Sequence, residues 1–456
     1  MKILVCVKVI KGDINPFDES ALECALSLSD DVTVVSMGPE STKNALLPLT
    51  RLGAKVKLIS DSVFAGSDTL ATSYILSSFI NKLDYDLILC GRQSVDGDTA
   101  QVGPMLSAKL GIGLITNAMK VEVCGDEIRC KTRLGEEKTG LPALVTIERG
   151  YILRFPGLFS KPGEVEIYDN SYIGCDVSKC GLDGSPTRVI QTFENQSGRR
   201  KCKYITKDEL LPLIEELKNK SKEKNQSTYS GQRFKSLWAI GNEVAEKASE
   251  IAENVVVIND KSPDEIYKRA VAEKPDVILW NADLWGRKIA PVVASMLDTG
   301  LCADCTQLEC EDNVLYMYRP AQGGNVYAKI KCLTKPQMAT VRTKSESSDI
   351  IVSGGRGVAE CVETLKHFAE KTGAELGASR GLVDMNKAPY EHQVGLTGKT
   401  VSPRIYIAIG ISGAVHHTSA IEGSDTIIAI NPDKDARIFE YADYGIVADW
   451  EDVYDI

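Results

Sequence analysis

Ile405-Tyr406-Ile407-Ala408-Ile409-Gly410-Ile411-Ser412-Gly413-Ala414-Val415-His416-His417 decides the reading of the fold. A short run of bulky, mostly β-branched residues stopped by glycines is the pattern of a strand buried on both faces. Gly410 and Gly413 then let the backbone turn tightly and approach another backbone or a ligand. The pattern stands again upstream, where Ile350–Ser353 runs into Gly354-Gly355-Arg356-Gly357, and a further strand is expected at Thr426–Ile430. Strands that end in glycine turns and feed helices build open parallel sheets, which bind ligands beyond the carboxyl ends of their strands.

Toward the N-terminus the alternation returns twice. Ile3–Val9, Val32–Met37, Val56–Ser60 and Asp86–Cys90 read as strands, with Asp18–Ser29, Ser41–Leu52, Asp68–Leu83 and Thr99–Leu110 at helical spacing between them. Lys120–Cys124, Glu127–Thr132 and Ala143–Glu148 are short and consecutive, as in an antiparallel addition. From Arg149 to Asp183 no period holds. A charged helix at Lys207–Lys220 precedes a polar stretch without an apolar face. Strands restart at Leu237–Ile240, Val255–Ile258 and Val277–Trp280. The expected class is α/β: three-layer parallel-sheet domains at 1–222 and 236–346, a linker at 223–235, and a C-terminal α/β domain at 347–456.

Bulk properties exclude several functions. A chain of 456 residues is too long for one core, and its net charge of −10 argues against a broad nucleic-acid or anionic-membrane surface. No signal peptide opens the chain, and no apolar run approaches the roughly 20 residues needed to span a bilayer, so a cytoplasmic protein without membrane insertion is expected. The 13 cysteines then read as reduced thiols. Cys302 and Cys305 form the one CxxC, with Cys310 and Cys332 as candidate partners; lacking a second CxxC or a nearby histidine, they read as small buried hydrophobes, and no metal site is expected. A ferredoxin-like cysteine run is also absent, so any electron carrier must be organic.

Two glycine turns with Arg356 and Arg380, the latter in Ala378-Ser379-Arg380, suit a dinucleotide pyrophosphate. Gln393-Val394-Gly395-Leu396-Thr397-Gly398-Lys399-Thr400 lies between them. GxGxxG, a nucleophile elbow, HExxH and Walker A are all missing, so neither an ordinary Rossmann site nor a hydrolase or kinase is supported. His416 and His417 follow the second turn and can donate hydrogen bonds to a cofactor there. In the first block, Leu87–Cys90 ends in the loop Gly91–Pro104, where glycine admits a phosphate and Thr99 is placed to cap the next helix.

These loops together resemble the electron-transfer flavoproteins over nearly the whole chain. Residues 1 to about 222 are similar to the beta subunit through Val5-Cys6-Val7-Lys8, Asn15-Pro16-Phe17-Asp18-Glu19, Ser36-Met37-Gly38-Pro39, Phe64–Ser73 and Gly91–Pro104. From about 236 the chain resembles the alpha subunit, through Gly286-Arg287, Ala290-Pro291, Gly300–Thr306, Arg319–Asn325 and Pro336–Arg342, then through the C-terminal loops. The resemblance implies beta and alpha subunits fused in one polypeptide. It also implies FAD contacts at Gly354, Gly355, Arg356, Gly357, Ser379, Arg380, Gln393, Val394, Gly395, Leu396, Thr397, Gly410, Ser412, Gly413, Ala414, Val415, His416, His417, Asn431 and Asp449. Arg380, Thr397 and His417 would surround the isoalloxazine, where positive charge and donors favour a reduced, anionic ring. In the beta part it implies a second nucleotide, AMP or FAD, at Cys6, Asn15, Pro16, Phe17, Asp18, Met37, Arg92, Gln93, Ser94, Val95, Asp96, Gly97, Asp98, Thr99, Ala100, Gln101, Val102 and Gly103. Arg149–Glu164 matches the family's partner-recognition loop. Leu396 and His416 depart from the family, which usually has glutamine at both places.

Two readings follow from the resemblance. A carrier would hold one FAD and one AMP and shuttle single electrons between dehydrogenases. A bifurcating enzyme would hold FAD in both sites, take a hydride from NADH, and split the pair between ferredoxin or flavodoxin and the C-terminal FAD serving an acyl-CoA dehydrogenase-type partner. Asp96–Pro104 and Phe64–Ser73 look more like bifurcating bacterial members, and the second reading is preferred.

Overall fold

The computed structural model describes residues 1–132, 135–194, 199–219, 231–321, 326–343, 348–395 and 398–454. Leu396, Thr397 and most of the 223–235 linker lie outside them. The chain forms two compact units, one from Met1–Thr192, Tyr229–Gln322 and Tyr327–Val341, the other from Phe193–Thr228, Gly323–Val326 and Arg342–Ile456. The class is α/β, as expected. Among the described residues no helix is long and apolar enough to cross a membrane.

In the first unit a nine-stranded sheet runs in the order Val165–Tyr168, Lys55–Ile59, Val32–Met37, Ile3–Cys6, Leu87–Gly91, Ala143–Ile147, Gly113–Cys124, Glu127–Thr132, Gly135–Gly140. Side chains alternate across a strand, so Leu87 and Leu89 enter one core while Ile88 and Cys90 enter the core on the opposite face. That is why this strand is apolar throughout. Two sequence expectations need correction. Ala143–Ile147 is no antiparallel addition: it lies inside the sheet, parallel to both Leu87–Gly91 and Gly113–Cys124. Val165–Tyr168, within the stretch that lacked periodicity, is an edge strand parallel to Lys55–Ile59.

A second, five-stranded parallel sheet in this unit has the order Ala252–Ile258, Phe234–Ile240, Val277–Asn281, Gln337–Val341, Leu301–Cys305. This repeats the order of Val32–Met37, Ile3–Cys6, Leu87–Gly91, Ala143–Ile147 and Gly113–Cys124 in the first sheet. Two copies of one topology therefore stand in one unit. Leu70 and Met105 of the first share a core with Trp238 and Val293 of the second, and polar links add to it: Ser295 Oγ donates to the Met105 carbonyl (3.1 Å) and Lys288 pairs with Glu137 (2.7 Å).

The second unit is built on a six-stranded parallel sheet ordered Lys203–Tyr204, Tyr444–Ile446, Thr426–Ile430, Ile405–Ile409, Ile350–Gly354, Glu375–Ala378. Ile405, Ile407 and Ile409 point into one core; Tyr406 and Ala408 point into the other. The first core also takes Leu210, Ile214 and Leu217, one stripe of the helix Leu210–Asn219. Arg200 fastens this upstream segment, pairing with Asp443 and donating to the Ser424 (2.6 Å), Asp425 (3.1 Å) and Glu422 (3.2 Å) carbonyls.

Candidate functional sites

In the second unit the chain moves from Ile350–Gly354 outward to Glu375–Ala378, then crosses back to place Ile405–Ile409 on the opposite side. At such a reversal the loops leave in opposite directions and open a crevice. Its walls are the two glycine turns, and they touch. The Gly355 N–H donates to the Ile409 carbonyl (2.8 Å) and the Gly357 N–H to the Gly410 carbonyl (3.2 Å). A Cβ on Gly355 would lie 2.0 Å from the Gly410 oxygen. Gly413 has φ +83, and a Cβ there would meet the Ile438 nitrogen at 2.1 Å. Asn431 holds the second turn by donating to the Ile411 carbonyl (2.9 Å).

The remaining predicted residues fall around this crevice or along the same sheet edge. Ser379 caps the helix Arg380–Asp384, and its own N–H donates to the Gly354 carbonyl (2.8 Å). Val394 donates to the Ala378 carbonyl (2.8 Å), which brings Gln393, Val394 and Gly395 alongside. Arg356 is exposed and crosses Gly381, where a Cβ would meet its Cγ at 2.8 Å; Arg380 pairs with Asp384 (3.2 Å). Ser412, Ala414 and His416 are exposed, Val415 is buried, and Asp449 is exposed at the start of Trp450–Val453. His417 is buried, with Nε2 2.9 Å from the Tyr406 hydroxyl and Nδ1 in no well-formed hydrogen bond. Burial pushes its pKa down to about 4, opposed by the backbone of Val394.

The first unit has its own reversal, between Ile3–Cys6 and Leu87–Gly91. Asp18 ties the two strand ends, accepting from the Lys8 N–H (2.7 Å) and the Gly91 N–H (3.1 Å). A Cβ on Gly91 would fall 2.2 Å from the Asp18 carboxylate. Asn15 binds the opposite loop twice, donating to the Gln93 carbonyl (2.9 Å) and accepting from the Val95 N–H (3.3 Å). Arg92 pairs with buried Glu148 (2.8 Å) above the Phe17 ring. Burial raises the Asp18 carboxyl to about 7, against the pull of its hydrogen bonds. Burial would raise Asp96 too, but the Lys8 ammonium at 2.7 Å and the Ser94 hydroxyl hold it below its ordinary value.

Thr99 does not cap. The helix begins at Val102 with Gln101 before it, and no side chain caps it. The chain spends Asp98 (φ 52) and Ala100 (φ 55) in the left-handed region, so the loop from Arg92 to Gln101 is wider than a capped turn. Cys6 and Gly103 are buried and Met37, Pro16, Ser94 and Gly97 half-buried around it. Two side chains secure the loop to the second copy. Arg319 Nη2 donates to the Asp98 carbonyl (3.1 Å), and Gln101 Nε2 donates to the Leu301 carbonyl (3.0 Å) while its oxygen accepts from Thr69 (2.8 Å). Arg319 is buried and its Nε has no partner. In the second copy the equivalent turn is Ala282–Asp283 alone, and a Cβ on Gly286 would sit 1.9 Å from the Asn281 oxygen.

Residues 3–157 match the electron transfer flavoprotein domain, residues 239–360 match it a second time, and residues 345–422 match the electron transfer flavoprotein FAD-binding domain. The chain belongs to the electron transfer flavoprotein family. It is 42% identical over 235 residues to the electron transfer flavoprotein subunit alpha of Thermoanaerobacterium thermosaccharolyticum, covering 40% of this chain and 71% of that protein. To subunit alpha of Megasphaera elsdenii it is 39% identical over 273 residues, covering 46% and 81%. To subunit beta of Clostridium acetobutylicum it is 41% identical over 197 residues, covering 39% and 73%. One polypeptide thus resembles both subunit types, and its two copies of the electron transfer flavoprotein domain are the two repeated sheets.

FAD belongs to the C-terminal domain, and the residues fit it. Interlocked glycines give bare backbone at the switch point, which a pyrophosphate needs. Sequence reading missed Tyr406 and did not assign Arg319 to a site. Tyr406 had a signal, as the one polar-tipped residue in an aliphatic strand. Arg319 is brought to Asp98 only by the packing of the two copies. Cys302 and Cys305 are buried thiols, and among the described residues no three potential ligands converge on a metal position.

Proposed function

We propose that the chain binds a flavin nucleotide in each crevice and acts in the cytoplasm as an electron-bifurcating oxidoreductase. It oxidises NADH at the N-terminal site and passes the electrons to ferredoxin or flavodoxin and, through the C-terminal site, to an acyl-CoA dehydrogenase-type flavoenzyme. The observation that carries the reading is the contrast between the two domain copies: one carries a long loop held by Asn15, Arg319 and Gln101, the other turns within two residues into the helix Leu284–Met296. A flavin in such a site supplies two-electron chemistry with nicotinamide and one-electron chemistry with other carriers. The chain's residues supply the rest. Glycine turns admit the phosphates, Arg356 and Arg380 provide positive charge at the C-terminal crevice, and buried His417 provides a neutral donor.

A partner surface is at hand. Ile152, Phe155, Leu158 and Phe159 are between 86% and 95% exposed. Their loop is tethered at its base by Arg154–Glu23 (2.7 Å) and by Ser20 Oγ donating to the Tyr151 carbonyl (2.9 Å), over a cavity of about 530 Å³ lined by Pro16, Leu49, Leu52 and Leu153. Exposed apolar anchors on a tethered loop suit transient docking of another protein.

The test is nucleotide content per chain, released from anaerobically purified protein, followed by NADH titration of the flavin spectrum. Two FAD per chain with rapid bleaching support the proposal. One FAD and one AMP with no response to NADH overturn it in favour of a carrier fed by another flavoenzyme.

A further inference from the structure

Cys302 and Cys305 stand on Leu301–Cys305, the edge strand of the five-stranded sheet. On a regular strand, residues three apart point to opposite faces. Here Cys302 lies opposite Ala339 and Cys305 opposite Val341, so three steps on one strand match two on the other, and the bulge turns both thiols into one core. The bulge is pinned at Asp304, which has φ +63: its N–H donates to Thr340 Oγ1 (2.8 Å) and its carboxylate pairs with Arg287 (2.7 Å). Two strand residues span about 6.6 Å, at the upper end of the Cα separation that a disulfide bridges. A role as small apolar filler accounts for the burial of these thiols, but not for a pinned bulge that makes them neighbours.

The two thiols are unequal. Cys305 Sγ donates to the Cys302 carbonyl (3.7 Å). Hydrogen bonding from Cys305 holds the Cys302 thiol below its ordinary value against the pull of burial, and the Arg319 guanidinium acts in the same direction. Burial pushes Cys305 well above its ordinary value. Cys302 is therefore the thiolate of the pair, and Cys305 keeps its proton. Arg319 is itself buried, with Nη2 spent on the Asp98 carbonyl (3.1 Å) and Nε without a hydrogen-bond partner. A buried guanidinium with an unused donor favours an anion beside it.

We propose that Cys302 and Cys305 are a peroxide-reactive dithiol, with Cys302 the attacking sulfur, activated by Arg319, and Cys305 the resolving one. The Cys302 thiolate attacks one oxygen of hydrogen peroxide and the O–O bond breaks. Hydroxide leaves and recovers the proton that Cys302 gave up, forming water, and Cys302 is left as a sulfenic acid. The Cys305 sulfur then displaces the sulfenic hydroxyl, which departs with the Cys305 proton as a second water, and the S–S bond forms. The two thiols lose two electrons and two protons, and one peroxide becomes two waters. Peroxide is small and uncharged, which suits a thiol buried behind an edge strand, and a reduced flavin that meets dioxygen releases it. The inference does not depend on which nucleotide fills the N-terminal crevice.

The experiment exposes the full-length protein to graded hydrogen peroxide, blocks the remaining thiols and maps every cysteine by peptide mass spectrometry. A Cys302–Cys305 link reversed by dithiothreitol is expected, forming while Cys24 and Cys130, whose thiols burial raises, are still free. Cys305→Ser should stop at a Cys302 sulfenic acid that dimedone captures. Arg319→Met should slow the link about tenfold, the loss of thiolate that one pKa unit brings. A link from Cys302 to Cys310 or Cys332, a sulfenic acid at Cys305 in Cys302→Ser, or an unchanged rate in Arg319→Met overturns the proposal. Oxidation of the pair in step with Cys24 and Cys130 would report unfolding and overturns it too. So does a wild-type pair that stays reduced while exposed Cys124 is oxidised, a result that requires no variant to fold.

Discussion

Replacing Gly355 with alanine puts a methyl group 2.0 Å from the Gly410 oxygen and 2.5 Å from its carbonyl carbon, closer than the 3.0 Å below which something must shift. Gly355 has φ −101 and ψ −172, which alanine adopts freely, so the effect is steric alone. Both obstructing atoms are backbone, and the turns must part by about an ångström. That disturbs the hydrogen bonds Gly355 N–H to Ile409 and Gly357 N–H to Gly410, about 1 kcal/mol each, on top of overpacking of about 1–3 kcal/mol. The total is roughly 3–5 kcal/mol. The apoprotein should lose that much stability, read by denaturant unfolding, and the parted turns should bind FAD more weakly, read by FAD titration. Gly373→Ala is the control: at φ +65 with nothing within 4 Å, it carries only about 1 kcal/mol of backbone strain and should leave FAD binding unchanged. A combined loss for Gly355→Ala no larger than that of the control would refute the interlocked turns.

Asp18, whose folded pKa stands near 7 against 3.8 in the unfolded chain, is protonated when folded and ionised when unfolded between those values. Its contribution to stability is therefore full below about pH 4 and declines as pH rises to 7, by at most on the order of 4 kcal/mol. Comparing the stability of wild type and Asp18→Asn across pH 4–8 should show the variant gaining on the wild type as pH rises; parallel curves count against a buried protonated carboxyl. Arg319→Met removes the donor to the Asp98 carbonyl, a hydrogen bond from a charged group worth about 1.5–3 kcal/mol. Nucleotide should leave the N-terminal crevice with affinity reduced about 10–100-fold while the C-terminal FAD is retained, and equal retention of both would remove Arg319 from the site.

How much was legible in the sequence depended on whether a segment's partners were local. Val32–Met37 and Ile405–Ile409 could be placed because burial on both faces fills them mostly with apolar, β-branched residues. Val165–Tyr168 escaped because an edge strand needs only one apolar face, and its burial alternates irregularly. Ala143–Ile147 was found as a strand but set in the wrong partnership, since its neighbours are decided by the path of the whole sheet. Thr99 looked like a cap by residue type, yet the left-handed Asp98 and Ala100 delay the helix beyond its reach. The glycine turns were readable because bare backbone has no substitute. The pairings Arg319 to Asp98 and Tyr406 to His417 were not, since each joins separate segments through packing that no local pattern records.

The second unit draws Lys203–Tyr204 and Leu210–Asn219 from far upstream of the strands they join, with much of the first unit's chain translated in between. During synthesis, the apolar stripe Leu210, Ile214 and Leu217 leaves the ribosome with no surface to cover it until Ile405–Ile409 and Tyr444–Ile446 have been made. The nascent chain must carry that stripe in waiting, a natural point for chaperone engagement. Once the C-terminus is released, closure is unimolecular and independent of protein concentration. A chain cut after Asn219 would instead have to recapture its own segment from solution, so dilution alone would become a route to loss of the second unit.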